Sequence, residues 1–416
     1  MKLFNKDKKP IENVQLSTRH IALRWIAVAV CLIVAVVTIG YALNSLLTVN
    51  AGWQEVEDIS TEITCAADFV VNYDFGQGGA EATTAYRRIA ALYSDAAEKA
   101  YWLFTKDQTH ETIVNVRAIN DQPNTVLTVD PVLYEAFAKV QEYGDRSIYL
   151  APLYSEHDSM LVCETDAHAQ MRDPAYDAEA AEFAARVAMY ANDPKHINIE
   201  LLENSQIKLY VSEEYLNWAE ANAFDALVDF HWMKNAFIID YLADVLAENG
   251  FTNGTISSED GFVRNLGAKD TFLFNVYDRP GDVAYLAAAM QYQGACSIVS
   301  LRSFPVSADD AVERYYVYAD GTAAAPQMST ADGLRKNAVP SLIGYAQDAG
   351  CADTLMRMLP VYVQEELDEA QIKALVLSGV QAVWCEDHTV VHTEEALRVT
   401  GLYADGQTSY QAKVFE

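Results

Sequence analysis

The chain has 416 residues, 51% of them hydrophobic, and a formal net charge of −30. That length and composition support a sizeable core, in one large domain or in two to three smaller ones. So acidic a chain repels phosphate backbones, which argues against a nucleic-acid-binding role.

The charge is uneven. Residues 1–24 carry Lys2, Lys6, Lys8, Lys9, Arg19 and Arg24 against only Asp7 and Glu12, which leaves −34 on the remainder. Residues 25–47 follow without a single charge. At about 1.5 Å per residue such a run spans a bilayer with some tilt. A secretory signal core holds about 7–15 apolar residues and ends at a small-residue cleavage site. This run is longer and no A-x-A follows, so it reads as an uncleaved single-pass anchor. "VAVC", ending at Cys31, does not read as a lipoprotein site, because Val30 is too large and the apolar run continues past the cysteine. The basic flank places 1–24 in the cytoplasm and the acidic body outside the cell membrane.

Beyond the anchor, strand-like and helix-like stretches alternate. "TEITCAADFVVNY" is rich in β-branched and aromatic residues and reads as a strand, broken by "FGQGGA". The next stretch places Tyr86, Ile89, Tyr93, Ala97, Tyr101 and Phe104 at steps of three and four, the spacing of an amphipathic helix. A second helix is predicted in "TVDPVLYEAFAKVQEYG", with Asp130 as N-cap, Pro131 in the first turn and Gly144 past the end. "QIKLYVS" and "RYYVYADG" read as strands, "IIDYLADVLAENG" as a helix closed by Gly250, "TFLFNVYDRPGD" as a strand entering a turn, and "VQAVWCEDHTVVHTEE" as a hairpin. With few linkers and no repeat, the pattern predicts one α/β or α+β body outside the membrane.

Three tempting motifs fail on spacing. In "CEDHTVVHTEE", a strand would hold His388 and His392 about 13 Å apart, too far to share an ion. "GQGGA" lacks the Lys-Ser/Thr of a P-loop and the spacing of a dinucleotide fingerprint, and reads as a turn. Five cysteines follow the anchor (Cys65, Cys163, Cys296, Cys351 and Cys385) with no C-x-x-C among them. Most read as small buried hydrophobes, and one disulfide of unspecified pairing remains open.

The order of segments carries more. "TVLTVDPVLYEAFAKVQEY", "YLAPLY", "DFHWMKNAFIIDYLADVLAENG", "ISSEDGFVRNLG", "FLFNVYDRPGD", "ACSIVSLRS", "YYVYADGTAAAP" and "GCADTLMRML" follow one another over roughly residues 60–400. This succession resembles the ApbE family, the FAD:protein FMN transferases. These are extracytoplasmic, magnesium-dependent proteins that attach FMN, taken from FAD, to a Thr or Ser of a partner flavoprotein. The resemblance implies an ApbE-like fold behind one transmembrane helix, FAD or FMN as ligand, Mg2+ as metal and a flavoprotein partner.

The family's motifs are eroded in this chain. The family's D-L-G-G/A-I-A-K-G-Y-A-x-D falls on 229–240, with Asp229 and Asp240 kept, Asn235 in the lysine position beside Lys234, and Ala236 in the glycine position. Its G-G-D/N falls on Ser258, Glu259 and Asp260, which puts side chains where glycines permit close backbone approach. Val299, Ser300 and Leu301 approximate T-S-G. In H-I-x-D-P-x-T-G-x-P, Asp320 and Pro326 remain, while the histidine is Val317 and the threonine and glycine are Ala323 and Ala324. Lys234 and Asp240 are thereby the catalytic candidates, with Asn235, Asp260, Ser300 and Asp320 as flavin contacts.

The family's metal motif A-D-x-x-x-T falls on "ADTLMR": Asp353 is the metal ligand that the resemblance implies, and Arg357 stands where the threonine belongs. A guanidinium only donates hydrogen bonds and carries its own positive charge. Four residues apart on a helix, Arg357 and Asp353 are expected to pair, either across the place of the cation or as a solvated surface pair. Two functions therefore stand: a degenerate homologue that binds a flavin, a nucleotide or a partner protein, and a divergent but active Mg-dependent FMN transferase.

Overall fold

The computed structural model describes residues 21–59, 68–267, 271–395, 397–405 and 408–415, with backbone alone for 41–47. Its first element is the apolar helix Ile21–Leu47, 27 residues and so about 40 Å long. Among the described residues this is the one helix long and apolar enough to cross a membrane, over Ile21–Gly40.

Nine described strands form the central sheet, in the order Trp53–Val56, Phe69–Asp74, Gly254–Ser258, Phe262–Asn265, Cys296–Arg302, Ser341–Ala346, Gln381–Glu386, Thr389–His392 and Gln411–Val414. All neighbours are antiparallel except the last pair. The sheet thus reaches past residues 60 and 400 on both sides.

The strand period of two explains the two cores. Val299, Leu301, Leu342 and Trp384 face the helices Ala80–Phe104, Lys234–Glu248 and Cys351–Tyr362. Their neighbours Ile298, Ile343, Val383 and Cys385 face a three-stranded sheet of Thr271–Asp278, Tyr285–Gln293 and Arg398–Leu402. Both faces of the central strands are buried, which is why "SIVSL", "SLIGYA" and "QAVWC" carry no charged residue.

Most expected elements are present. The helices Ala80–Phe104 and Pro131–Glu142 form where periodicity placed them, and the Asp130 side chain accepts from Val132 N at 3.0 Å. Gly144 and Gly250 follow helix ends at φ 65° and 83°. The hairpin Gln381–Glu386/Thr389–His392 turns through Asp387 and His388, both at positive φ. "RYYVYADG" is a correction: only Tyr316–Val317 is a strand, because the chain turns directly after it, with Tyr318 N donating to Thr322 O and Gly321 N to Tyr318 O, both at 2.8 Å. Of "TEITCAADFVVNY", the strand Phe69–Asp74 is described, and residues 60–67 lie outside the described residues. Cys31, Cys163, Cys296, Cys351 and Cys385 are free thiols, the last three buried, and Cys65 lies outside the described residues.

The glycine turn has a mechanical role. The chain leaving the anchor helix crosses it at once: Gly79 N donates to Val49 O at 3.0 Å, Val49 N to Thr83 Oγ1 at 2.9 Å, and Gly52 N to Gly76 O at 3.0 Å. A Cβ on Gly78 would lie 2.7 Å from both Ala51 N and Val49 O. Those are backbone atoms and cannot step aside. Gly78→Ala is therefore expected to cost about 1–3 kcal/mol and to speed proteolytic nicking near residue 50. A thermal melt and limited proteolysis of the full chain check this.

Candidate functional site

The helix Lys234–Glu248 begins beside a cavity of about 350 Å³. The site is built where this helix start meets the sheet end at Ser300–Arg302, the segment after Phe104 and the helix Ala151–Leu161. Tyr101, Phe104, Trp232 and Tyr315 give it aromatic walls.

Its polar groups are interlocked. His231 has φ +43°, an uncommon backbone state for a non-glycine residue, and its ring stacks on Tyr154 at 4.6 Å with 4° between planes. Its backbone N–H donates to Asp229 Oδ1 at 2.8 Å, and Nε2 lies 2.8 Å from Asp158 Oδ1. Burial of Asp158 is outweighed by His231 and Lys106, so its carboxyl sits below the usual range. Burial pushes Asp229 upward against the pull of His231, Lys106 and Lys234. For Lys106, burial is outweighed by Asp229, Asp107 and Asp158, which raise it.

His157 is a neutral strut. Its Nδ1 accepts from Arg335 Nη2 at 3.3 Å, since a guanidinium only donates, which leaves Nε2–H to donate to Arg314 O at 3.0 Å. Burial, with Arg335 and His231 nearby, lowers it to about 3. Arg302 and Arg314 converge on buried Asp310 at 3.3 and 2.9 Å.

The sequence candidates separate into three places. Lys234, Asn235, Asp260 and Ser300 line this one cleft. Asn235 Nδ2 donates to Asp260 Oδ2 at 2.9 Å. Ser258 and Glu259 carry the side chains noted above, and the glycine of this turn is Gly261, at φ +104°, where a Cβ would fall 2.6 Å from Ser300 O. Asp320 stands on an exposed turn, accepting from Thr322 N and Oγ1 at 2.9 and 2.6 Å, and these bonds lower its pKa.

Asp240 and Asp353 line a second cavity, of about 270 Å³. Asp240 caps the helix Cys351–Tyr362 from outside: Oδ1 accepts from Cys351 N at 2.8 Å and Oδ2 from Ala352 N at 2.9 Å. Burial raises its carboxyl to about 6, while Arg264 and these two bonds pull it down. A Cβ on Gly350 would sit 2.2 Å from Asp240 Oδ2, so glycine is required for the cap to close.

The expected Asp353–Arg357 pair is not formed, which corrects both readings of it. Asp353 Oδ2 lies 2.5 Å from Lys139 Nζ, and Oδ1 accepts from Tyr143 Oη at 3.0 Å. Arg357 turns away, donating from Nε to Tyr143 Oη at 3.1 Å and from Nη1 to Ser378 O at 2.7 Å. Magnesium requires a near-octahedral set of oxygens. Here one assigned carboxylate is bound to an ammonium, the threonine position is a guanidinium, and Asp240 serves two amides. These residues do not fit a magnesium ion.

Sequence reasoning missed Lys106, Asp158, His157, Arg302, Arg314 and Lys139, because long-range packing alone brings them in. His231 stood inside the quoted "DFHWMKN" and had a signal, a histidine in a family glycine position.

No family model and no curated protein matches the chain. Solved structures do. The ApbE protein of Thermotoga maritima matches with a TM-score of 0.52 and 15% identity, over 83% of this chain and 96% of that one. The flavin transferase ApbE of Vibrio cholerae matches with a TM-score of 0.50 and 11% identity, over 80% and 92% respectively. The mixed α/β body therefore has the ApbE fold, behind one apolar N-terminal helix.

Two outcomes follow from the charges. Burial raises the Asp260 carboxyl to about 6, with Asp68 raising it further and Ser258, Arg314 and Asn235 opposing. An unfolded Asp titrates near about 3.9. Between these values the folded chain keeps a proton that the unfolded chain loses, so Asp260 costs stability as pH rises through about 4 to 6. Asp260→Asn should raise the melting temperature at pH 8, by about 1–3 kcal/mol in stability, with the gain shrinking toward pH 4. Calorimetric titration of the full chain with Mg2+ should show no heat that Asp353→Ala removes. A magnesium site lost in that variant would contradict the Lys139 assignment.

Proposed function

We propose that the protein is a membrane-anchored, extracytoplasmic ApbE-fold protein that binds a flavin or nucleotide in its cleft and has lost metal-dependent FMN transfer. The observation that carries the loss is the Lys139 ammonium on Asp353 at 2.5 Å. Transfer of a phosphoryl-linked group needs the diphosphate held in line and its charge met by cations. The carboxylate assigned to the metal already has its cation, inside the chain.

Retained binding is supported by the cleft itself. Its volume, about 350 Å³, falls in the range of about 300–1,000 Å³ typical of small-molecule sites. Its aromatic walls suit a planar ring, with Lys234, Asn235, Asp260 and Ser300 as the polar groups that would hold it. A bound flavin would supply its ring as the recognised group, and the chain's own residues would orient it and exclude water. A partner flavoprotein remains within this proposal as the recipient of binding rather than of FMN. The anchor is supported by the uncharged run and its basic flank.

Two experiments test the two halves. The full chain, incubated with FAD, Mg2+ and an acceptor domain bearing the target Thr or Ser, should leave no covalent flavin fluorescence on a denaturing gel. Labelling that depends on this protein would overturn the loss of transfer. Protease added outside intact cells should digest the acidic body while the N-terminal tail stays attached to the membrane. A protected body, or a mature chain starting after the apolar run, would overturn the topology.

A further inference from the structure

We infer that the body seats one uncharged end on the bilayer surface beside the anchor and turns its cleft away from the lipid, toward water. This rests on the membrane-anchor reading above and specifies how the anchored body stands. The apolar run ends at Leu47, and two residues later the body holds the chain. Val49 N donates to Thr83 Oγ1 at 2.9 Å, and Val49 O accepts from Gly79 N at 3.0 Å. No long linker separates anchor and body, so whatever surrounds Val49 lies next to the headgroups.

The surroundings of Val49 are a row of turns at one end of the central sheet. Gly52 N donates to Gly76 O at 3.0 Å and Phe75 N to Gly52 O at 3.1 Å. Asp74 N donates to Asn253 O at 3.0 Å, Leu266 N to Gly254 O at 2.8 Å and Asn265 Nδ2 to Gly294 O at 2.8 Å. The segments joined in this way are 48–54, 75–80, 249–254, 265–267 and 291–296. None holds an Asp, Glu, Lys or Arg, in a chain that is 21% charged and carries −34 beyond residue 24. Residues 268–270, with Lys269 and Asp270, lie outside the described residues. At the rim, Glu55 and Glu81 are exposed, and Asp74 accepts from Gly76 N at 2.9 Å and Asn253 Nδ2 at 3.2 Å. Carboxylates brought against headgroups lose hydration and are repelled by anionic lipids. This end escapes both costs. Trp53 lies on its edge, 38% exposed, with its ring 5.5 Å from Phe272, and an indole suits a membrane interface. Charge returns at exposed Asp348, after the strand Ser341–Ala346. The seat therefore spans the first five strands, about 19 Å across.

The same elements put the cleft at the opposite end. The helix Ala80–Phe104 starts at the seat and ends at Phe104, Thr105 and Lys106 in the cleft lining. At about 1.5 Å per residue that is about 36 Å. The strand Cys296–Arg302 leaves the seat and reaches the cleft at Ser300–Arg302. The strands Phe69–Asp74 and Phe262–Asn265 run the other way, from Asp68 and Phe262 in the cleft lining to the seat. A body standing on this end lifts its cleft clear of the headgroup layer. Its ligand or partner then arrives from the aqueous side and not through the bilayer.

The test compares two positions in the full chain reconstituted in phosphatidylcholine vesicles. Ala295→Cys, exposed in the turn before the fifth strand, marks the far side of the seat, and Asp107→Cys, exposed in the cleft lining, marks the cleft. Each carries a nitrobenzoxadiazole label in a background of Cys31→Ala, Cys65→Ala and Cys163→Ala, with its fold verified by circular dichroism. A lipid bearing a nitroxide on its headgroup is the quencher. Quenching at 295 should be at least threefold stronger than at 107. Equal quenching at the two positions, or stronger quenching at 107, in a chain that floats with the vesicles would overturn the seat and leave the anchor standing. A chain that does not float with the vesicles would overturn the anchor reading itself.

Discussion

The start of the helix Cys351–Tyr362 is the point on which the packing of its neighbouring helices depends. A helix start leaves amide donors without partners and carries partial positive charge. Asp240, from the neighbouring helix Lys234–Glu248, answers two of those donors with both its oxygens. The fit is so close that residue 350 has to be glycine. Asp353, in the first turn, is then free to face the helix Pro131–Glu142, whose Lys139 meets it. Tyr143 bridges Asp353 to Arg357, and Arg357 carries the link onward to Ser378 at the end of the helix Glu369–Leu377. One chain of charged and phenolic groups ties three helices.

The residues of that junction and those of the cleft line two different cavities. Asp240 and Asp353 belong to the helix junction, whereas Lys234, Asn235, Asp260 and Ser300 belong to the aromatic-walled cleft. The cleft in turn is shaped by groups with structural duties: His157 between Arg335 and the Arg314 carbonyl, and Asp310 between two guanidiniums.

Local physics made much of the fold legible. Apolar steps of three and four gave the helix Ala80–Phe104, Asp130 and Pro131 gave the next helix its start, and alternation with turn residues gave the C-terminal hairpin. The order of segments gave the ApbE fold. The site was legible where motif and contact coincide, as at Asn235 and Asp260. It was illegible where partners come from distant sequence. Arg357 is four residues from Asp353 on one helix, so local spacing favoured their pairing. Lys139, 214 positions away, wins because packing brings its ammonium to the carboxylate while Tyr143 and the Ser378 carbonyl draw Arg357 off. Gly261 was overlooked for a related reason: its close approach to Ser300 is set by sheet geometry one residue beyond the motif position.

The claim that the Lys139 ammonium is the direct partner of the Asp353 carboxylate is tested most directly by a double-mutant cycle of Lys139→Met and Asp353→Asn in the full chain, read by unfolding stability. The two changes should be strongly coupled, by about 1–3 kcal/mol as for groups in direct contact. Additive effects, with coupling near zero, would contradict the account.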